Sequence, residues 1–149
     1  MDEEKGIEQR IENSNSRFYE AFECLSIEKM EEAWKHSDNT ICIHPGWEMF
    51  TGWTAIRESW TRIFENTRTI KFFITNTKIK TFENIAIVVC LKNIDTVIDD
   101  ENIFRMGVIA TNIFEEQNVK NNSDYNSEWL MIHHHGSVVT NYIPPNVSV

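Results

Sequence analysis

The sequence predicts an α+β domain in which a curved, antiparallel sheet wraps three N-terminal helices into a cone-shaped roll with a mouth. Three observations carry this expectation. Helical periodicity is confined to the part of the chain before Thr67. From Ile70 onward the chain turns β-rich, in four long segments: Ile70 to Phe82, Ile85 to Val97, Ile103 to Glu116 and Glu128 to Val139. The separators "EN", "DDEN" and "QNVKNNSDYNS" are turn or loop chemistry, and the short ones imply hairpins, hence an antiparallel meander. Helices followed by a run of strands is the signature of an α+β layer arrangement.

Each element has its own local justification. Ile7, Ile11, Phe18, Phe22 and Leu25 share one helical face, giving a long first helix interrupted by the polar pair Ser14-Asn15. Ser26 is a natural N-cap for a second helix whose apolar side is Ile27, Met30, Ala33 and Trp34. "NTICIHP" reads as a short strand, because β-branched residues alternate and Pro45 drives His44 out of helical geometry. A third helix starts near Thr54, with Ile56, Trp60, Ile63 and Phe64 at helical spacing. The expectation is one domain over residues 1–149, with its core at about 8–139 and a tail at 140–149.

Composition narrows the function classes. The chain has 149 residues, 41% hydrophobic, 11% aromatic and 25% charged, enough for one real core. Its formal charge of −9, with cations scattered among acids, excludes a phosphate-tracking surface and so nucleic acid as partner. No apolar run approaches a membrane span, the longest being "IAIVVCL" from Ile85 to Leu91, and the acidic, amphipathic N-terminal stretch contains no apolar signal-peptide core. A cytoplasmic protein is expected. Cys24, Cys42 and Cys90 each sit in an apolar pattern, which predicts buried, reduced thiols. Without a secretory signal, the acceptor patterns at Asn121 and Asn146 are discounted.

Candidate chemistry gathers in "ICIHPGWEMFTGW", Ile41 to Trp53, where two Gly-Trp steps and a histidine serve one connection. His44 is either a general acid or base near neutral pH or a hydrogen-bonded residue tying the loop to the last strand. Trp47 and Trp53 are candidate walls of an apolar ligand cavity or plain core; Trp60, in phase with Ile56 and Ile63, reads as core. In "HHH" at 133 to 135, strand alternation sets His133 and His135 on one face and His134 on the other, so this run alone supplies no three-histidine site. No metal and no cofactor are expected.

The order helix, helix, "IHPGW", "GWTAIRESW" and a meander ending in "EWLMIHHHGS" resembles the SnoaL-like proteins, within the superfamily of nuclear transport factor 2 and the ketosteroid isomerases. The resemblance spans roughly Glu8 to Val139. It implies a bent sheet on three helices, commonly dimeric through the convex face. It also implies that His134 and Asn112 face the pocket and that His133 and His135 lie on the convex face. The isomerases' general base falls at His44, their first oxyanion donor at Phe18 beside Tyr19, and their second at Ala110. Steroid isomerisation is therefore not expected.

The resulting expectation is a homodimeric cone-fold protein binding a small, largely apolar ligand. Any chemistry would be proton transfer of the isomerase, cyclase or dehydratase type, with His44 and His134 as candidate catalytic residues. Tyr19, Trp47, Trp53 and Asn112 would bind the ligand. The alternative is a non-catalytic dimerisation or protein-interaction module.

Overall fold

A computed structural model describes residues 2–97, 102–121 and 124–145, and the helical and β-rich halves fall where their periodicity places them. The helices are α1 (Asp2–Glu23), α2 (Ile27–Ala33) and α3 (Trp53–Glu65). The strands are β1 (Ile41–Ile43), β2 (Met49–Thr51), β3 (Thr69–Phe82), β4 (Ile85–Val97), β5 (Ile103–Asn121) and β6 (Asp124–Val138). They form one sheet in the order β2-β1-β6-β5-β4-β3. The meander β3 to β6 is antiparallel as expected, but β1 joins β6 in parallel, so the sheet is mixed. Strand β2 was not foreseen; it pairs antiparallel with β1.

Three further expectations are corrected. α1 runs without interruption through Ser14 and Asn15, both of which are buried. Ile11, Ser14, Asn15, Phe18, Tyr19 and Phe22 form one stripe at spacings of three and four, so the polar pair belongs to the inward face rather than breaking the helix. Gln117 to Asn121 and Asp124 to Ser127, loop-like in composition, continue the β5–β6 ladder, because backbone pairing makes no demand on side-chain polarity. Cys24, one residue beyond α1, is exposed, whereas Cys42 and Cys90 are buried. Asp99 to Glu101 of the "DDEN" separator and the acceptor at Asn146 lie outside the described residues.

Local chemistry explains the connections. The Ser26 side chain accepts from Lys29 N at 3.2 Å, capping α2. "HPGW" closes a turn in which Trp47 N donates to His44 O at 2.9 Å. Pro45 takes its second position and Gly46, at φ +79°, the third, which is the arrangement of a type II turn. The turn sends the chain back so that Met49 pairs with Ile43. Gly52, at φ +87°, then bends the chain from β2 into α3 while its N–H donates to Thr40 O at 2.8 Å.

The core lies between the helices and the concave sheet face. Phe18 is its centre, with ring centroids of Tyr19 at 4.9 Å, His134 at 4.9 Å, Trp60 at 5.5 Å and Trp34 at 6.4 Å. Inward positions alternate along the strands: Ala86, Val88, Cys90 and Lys92 on β4, and Val108, Ala110, Asn112 and Phe114 on β5. On β6 the alternation shifts phase. Phe114 pairs with Met131 and Ile113 with His133, leaving Ile132 as a bulge. Trp129 and Met131 before the bulge, and His134 and Gly136 after it, consequently all face inward. On the opposite face Phe73 and Ile109 are exposed, and the tail returns over it, with the Tyr142 ring above Gly107 and its hydroxyl donating to Asn93 Oδ1.

Phe18→Ala removes the ring on which Trp34, Trp60 and the inward His134 pack. A loss of about 3 to 5 kcal/mol is expected in chemical denaturation, as for other buried aromatics.

Candidate functional site

Polar side chains occur at inward positions on α1, β5 and β6, and there they meet. Asn112, fully buried on β5, is the hub. Its Oδ1 accepts from His134 Nδ1 at 2.6 Å, and its Nδ2 donates to Asn15 Oδ1 at 2.8 Å and to Tyr19 Oη at 3.0 Å. This fixes the histidine tautomer: Nδ1 carries the proton and Nε2 is a bare lone pair, buried and without a hydrogen-bond partner among the described residues. Burial, followed by the charge of Lys92, holds the His134 pKa well below the ordinary range, so the ring is neutral. Tyr19 Oη lies 3.6 Å from Cys90 Sγ. Burial, then the nearby Cys90, raises the Tyr19 pKa well above normal, so the phenol keeps its proton.

His44 stands one strand away. β1 pairs with β6 so that Cys42 aligns with His134, and two residues on His44 points the same way, its ring 6.4 Å from that of His134. It is 3% exposed, which decides its character. Ser59 Oγ donates to Ile56 O at 2.7 Å and therefore accepts from His44 Nε2 at 2.8 Å. Trp60 packs edge-on at 4.5 Å and Trp47 at 5.3 Å. Burial first, then the charges of Lys92 and Arg62, push the His44 pKa down to about 3.

Lys92 is the third unusual group. It is 1% exposed on β4, with Nζ 5.6 Å from the Tyr19 ring centre, 5.7 Å from Phe22 and 5.8 Å from Phe72. Among the described residues no carboxylate pairs with it. Burial lowers its pKa to about 8, against the opposing pull of Cys90 and Cys42. In front of this cluster, a cavity of about 220 Å³ opens between α1 and the β3–β4 ladder. Glu12, Asn15 and Tyr19 wall it on one side and Ile74, Thr77 and Val88 on the other.

The structure thus gathers His44, His134, Asn112 and Tyr19 into one interior, but opens its cavity at Tyr19 rather than at the Gly-Trp loop. Trp47 lies outside that cavity; it is 40% exposed and covers His44 from the surface, with the Arg62 guanidinium 5.4 Å from its ring. Trp53 is not part of the group. It stacks on His36 at 4.6 Å and tilts against Trp34 at 6.1 Å. His44 bonds to α3 and not to the last strand. His133 is half-buried and His135 exposed, both on the face opposite His134. Asn15, Ser59 and Lys92 escaped the sequence reading. Their common signal was a polar residue in phase with apolar neighbours, Asn15 among Ile11, Phe18 and Phe22, Ser59 among Ile56, Trp60 and Ile63, and Lys92 after Ala86, Val88 and Cys90.

The SnoaL-like domain family matches residues 11–141. The F-box protein SKIP8 of Arabidopsis thaliana is 25% identical over 125 residues, 84% of this chain. The chain spans about half the length of that relative, 48%. A proposed dehydratase of the NTF2-like family from Streptomyces avermitilis is 27% identical, with a TM-score of 0.75 over 88% of this chain and 94% of that one. An NTF2-like superfamily protein from Salmonella enterica, 16% identical, superposes with a TM-score of 0.78 over 97% of this chain and 99% of its own.

Two outcomes follow from the hub. Asn112→Leu strands the His134 Nδ1–H without an acceptor in the core, and a destabilisation of more than about 2 kcal/mol is expected by denaturant titration. His44 and His134 are neutral when folded but free to protonate when unfolded. Stability is therefore full above the ordinary histidine pKa of 6.5 and falls as pH drops below it, continuing towards about 3 for His44. Each histidine contributes a slope of up to about 1.4 kcal/mol per pH unit. His44→Gln should remove roughly half of that acid sensitivity between pH 6 and 4.

Proposed function

The chain belongs to the SnoaL-like domain family, and from that premise we propose that it is a binding domain for a small ligand with an apolar body and one polar group. The ligand sits in the cavity between α1 and the β3–β4 ladder. The observation that carries this reading is the orientation imposed by Asn112. Because its Nδ2 already donates to both Asn15 Oδ1 and Tyr19 Oη, the Asn15 amide N–H groups and the Tyr19 O–H proton are directed away from the hub, where the chain offers them the weak acceptor Cys90 Sγ. Both side chains form the cavity wall. Their neighbours Ile74, Ile79 and Val88 supply the apolar surface. A volume of about 220 Å³ suits a ligand smaller than those held by pockets of roughly 300 Å³ and above.

Tyr19 and Glu12, rather than His44, are the titratable groups at that wall. A proton-transfer step of the isomerase, cyclase or dehydratase kind would run through the Tyr19 hydroxyl as donor to a developing oxyanion. A protein-observed NMR screen of small aromatic fragments tests the site. Shifts are expected at Asn15, Tyr19 and Val88; fragments that shift only the Trp47 loop would sink the assignment. Tyr19→Phe, which removes one donor, should weaken a bound fragment about five- to tenfold, near 1 kcal/mol.

A second reading, homodimeric assembly, has its own observation. On the outer sheet face Phe73 is 56% and Ile109 is 47% exposed, and the neighbouring Val89, Leu91 and Ile113 are only half-buried. Contiguous apolar surface of this kind favours a partner. Sedimentation equilibrium should give a dimer that Ile109→Lys converts to monomer; a wild-type monomer at micromolar concentration would remove this reading.

A further inference from the structure

The cone interior contains a cation that no acid among the described residues balances. Lys92 is inward-facing and almost fully buried, and three aromatic rings surround its ammonium while no acid of the described residues reaches it. Burying an ion without a counter-charge is strongly unfavourable, and cation–π contacts offset it only in part. The other titratable neighbours do not help, since Cys42, Cys90 and Tyr19 keep their protons and His44 and His134 stay neutral.

The amine lies one side chain behind the ligand cavity. Lys92 pairs across the ladder with Ile74, which lines the cavity, and its Nζ is 5.6 Å from the centre of the Tyr19 ring, which forms another part of that wall. At such a wall an anion is favoured twice. The field of Lys92 acts through low-dielectric protein, where screening is weak. The wall also presents donors, the Asn15 amide and the Tyr19 hydroxyl, whose acceptor atoms are already occupied by Asn112. The competing acceptor for both donors is Cys90 Sγ, 3.6 Å from the Tyr19 hydroxyl and within hydrogen-bonding reach of Asn15, a weak one that a carboxylate oxygen displaces. Glu12 is the one acid in the wall, and its side chain is at the exposed rim, where solvent screens it.

We propose that the ligand of this cavity is a small monocarboxylate, its apolar body against Ile74 and Val88 and its anionic group hydrogen-bonded by Asn15 and Tyr19, with Lys92 as the buried counter-charge. This assignment rests on the cavity reading above and adds the ligand's charge to it. Lys92 acts through the wall and is a specificity-determining residue, not a catalytic one.

Benzoate and its neutral isostere benzamide test the two claims separately. By isothermal titration and NMR at pH 7, wild-type protein should bind benzoate at least tenfold more tightly than benzamide, with both shifting Asn15 and Tyr19. Lys92→Met keeps the volume while removing the charge, and should abolish the preference with benzamide affinity unchanged within about twofold. Equal binding of the two probes by wild type, or a preference that survives Lys92→Met, overturns the carboxylate assignment and spares the cavity. Absence of binding by both overturns the two together. Should Lys92→Met not fold, the wild-type pH profile decides. The benzoate preference must decline as pH rises past about 8, where the free lysine loses its proton. A preference that is flat from pH 7 to 10 counts against Lys92.

Discussion

The side-chain amide of Asn112 is the constraint on which the interior depends. Its carbonyl oxygen fixes the tautomer of His134, and its amide nitrogen ties α1 to the sheet through Asn15 and Tyr19. A buried amide must satisfy both ends, and it can do so in only one orientation when one neighbour is a histidine proton and the others are oxygen acceptors. That single choice determines which hydrogen atoms remain to face the cavity. The register of α1 against β5 is therefore also the register of the binding wall.

Two irregularities of the sheet bring the remaining groups to this hub. Parallel pairing of β1 with β6 sets Cys42 beside His134 and carries His44 into the same layer. The bulge at Ile132 lets Trp129, Met131 and His134 all point inward, which strict alternation forbids. Without it either the tryptophan and methionine or the histidine would lie on the outer face. Folding and site assembly are here one event.

Polarity inside the cone is graded. The neutral histidines, held deep under Trp60 and Phe18, are structural in their bonding, each meeting a partner of the chain itself. Lys92 meets no acid among the described residues, and the cavity opens on its side of the interior. The functional weight therefore moves from the Gly-Trp loop, where the histidine is sealed by Trp47 and Ser59, to the α1 wall. The "HPGW" segment serves as a tight turn that makes the β1–β2 hairpin and closes that end of the cone.

What the sequence determined by itself was whatever depends on neighbours along the chain. Periodicity assigned the three helices and the four long strands, Ser26 marked a helix start, and Pro45-Gly46 marked a turn, because each is a matter of local sterics and hydrogen bonding. The inward direction of Asn112 and His134 came from resemblance to a family. Tertiary structure alone decided the rest. Asn15, Ser59 and Lys92 looked like interruptions of apolar faces, and only contact with Asn112, His44 and the Tyr19 ring, 97, 15 and 73 residues away respectively, gave them meaning. The parallel placement of β1, the phase shift at Ile132 and the side on which the cavity opens likewise follow from how distant segments pack. Hydrophobic pattern states which face of an element is buried; it does not state against what, and the chemistry of a site is set by the against what.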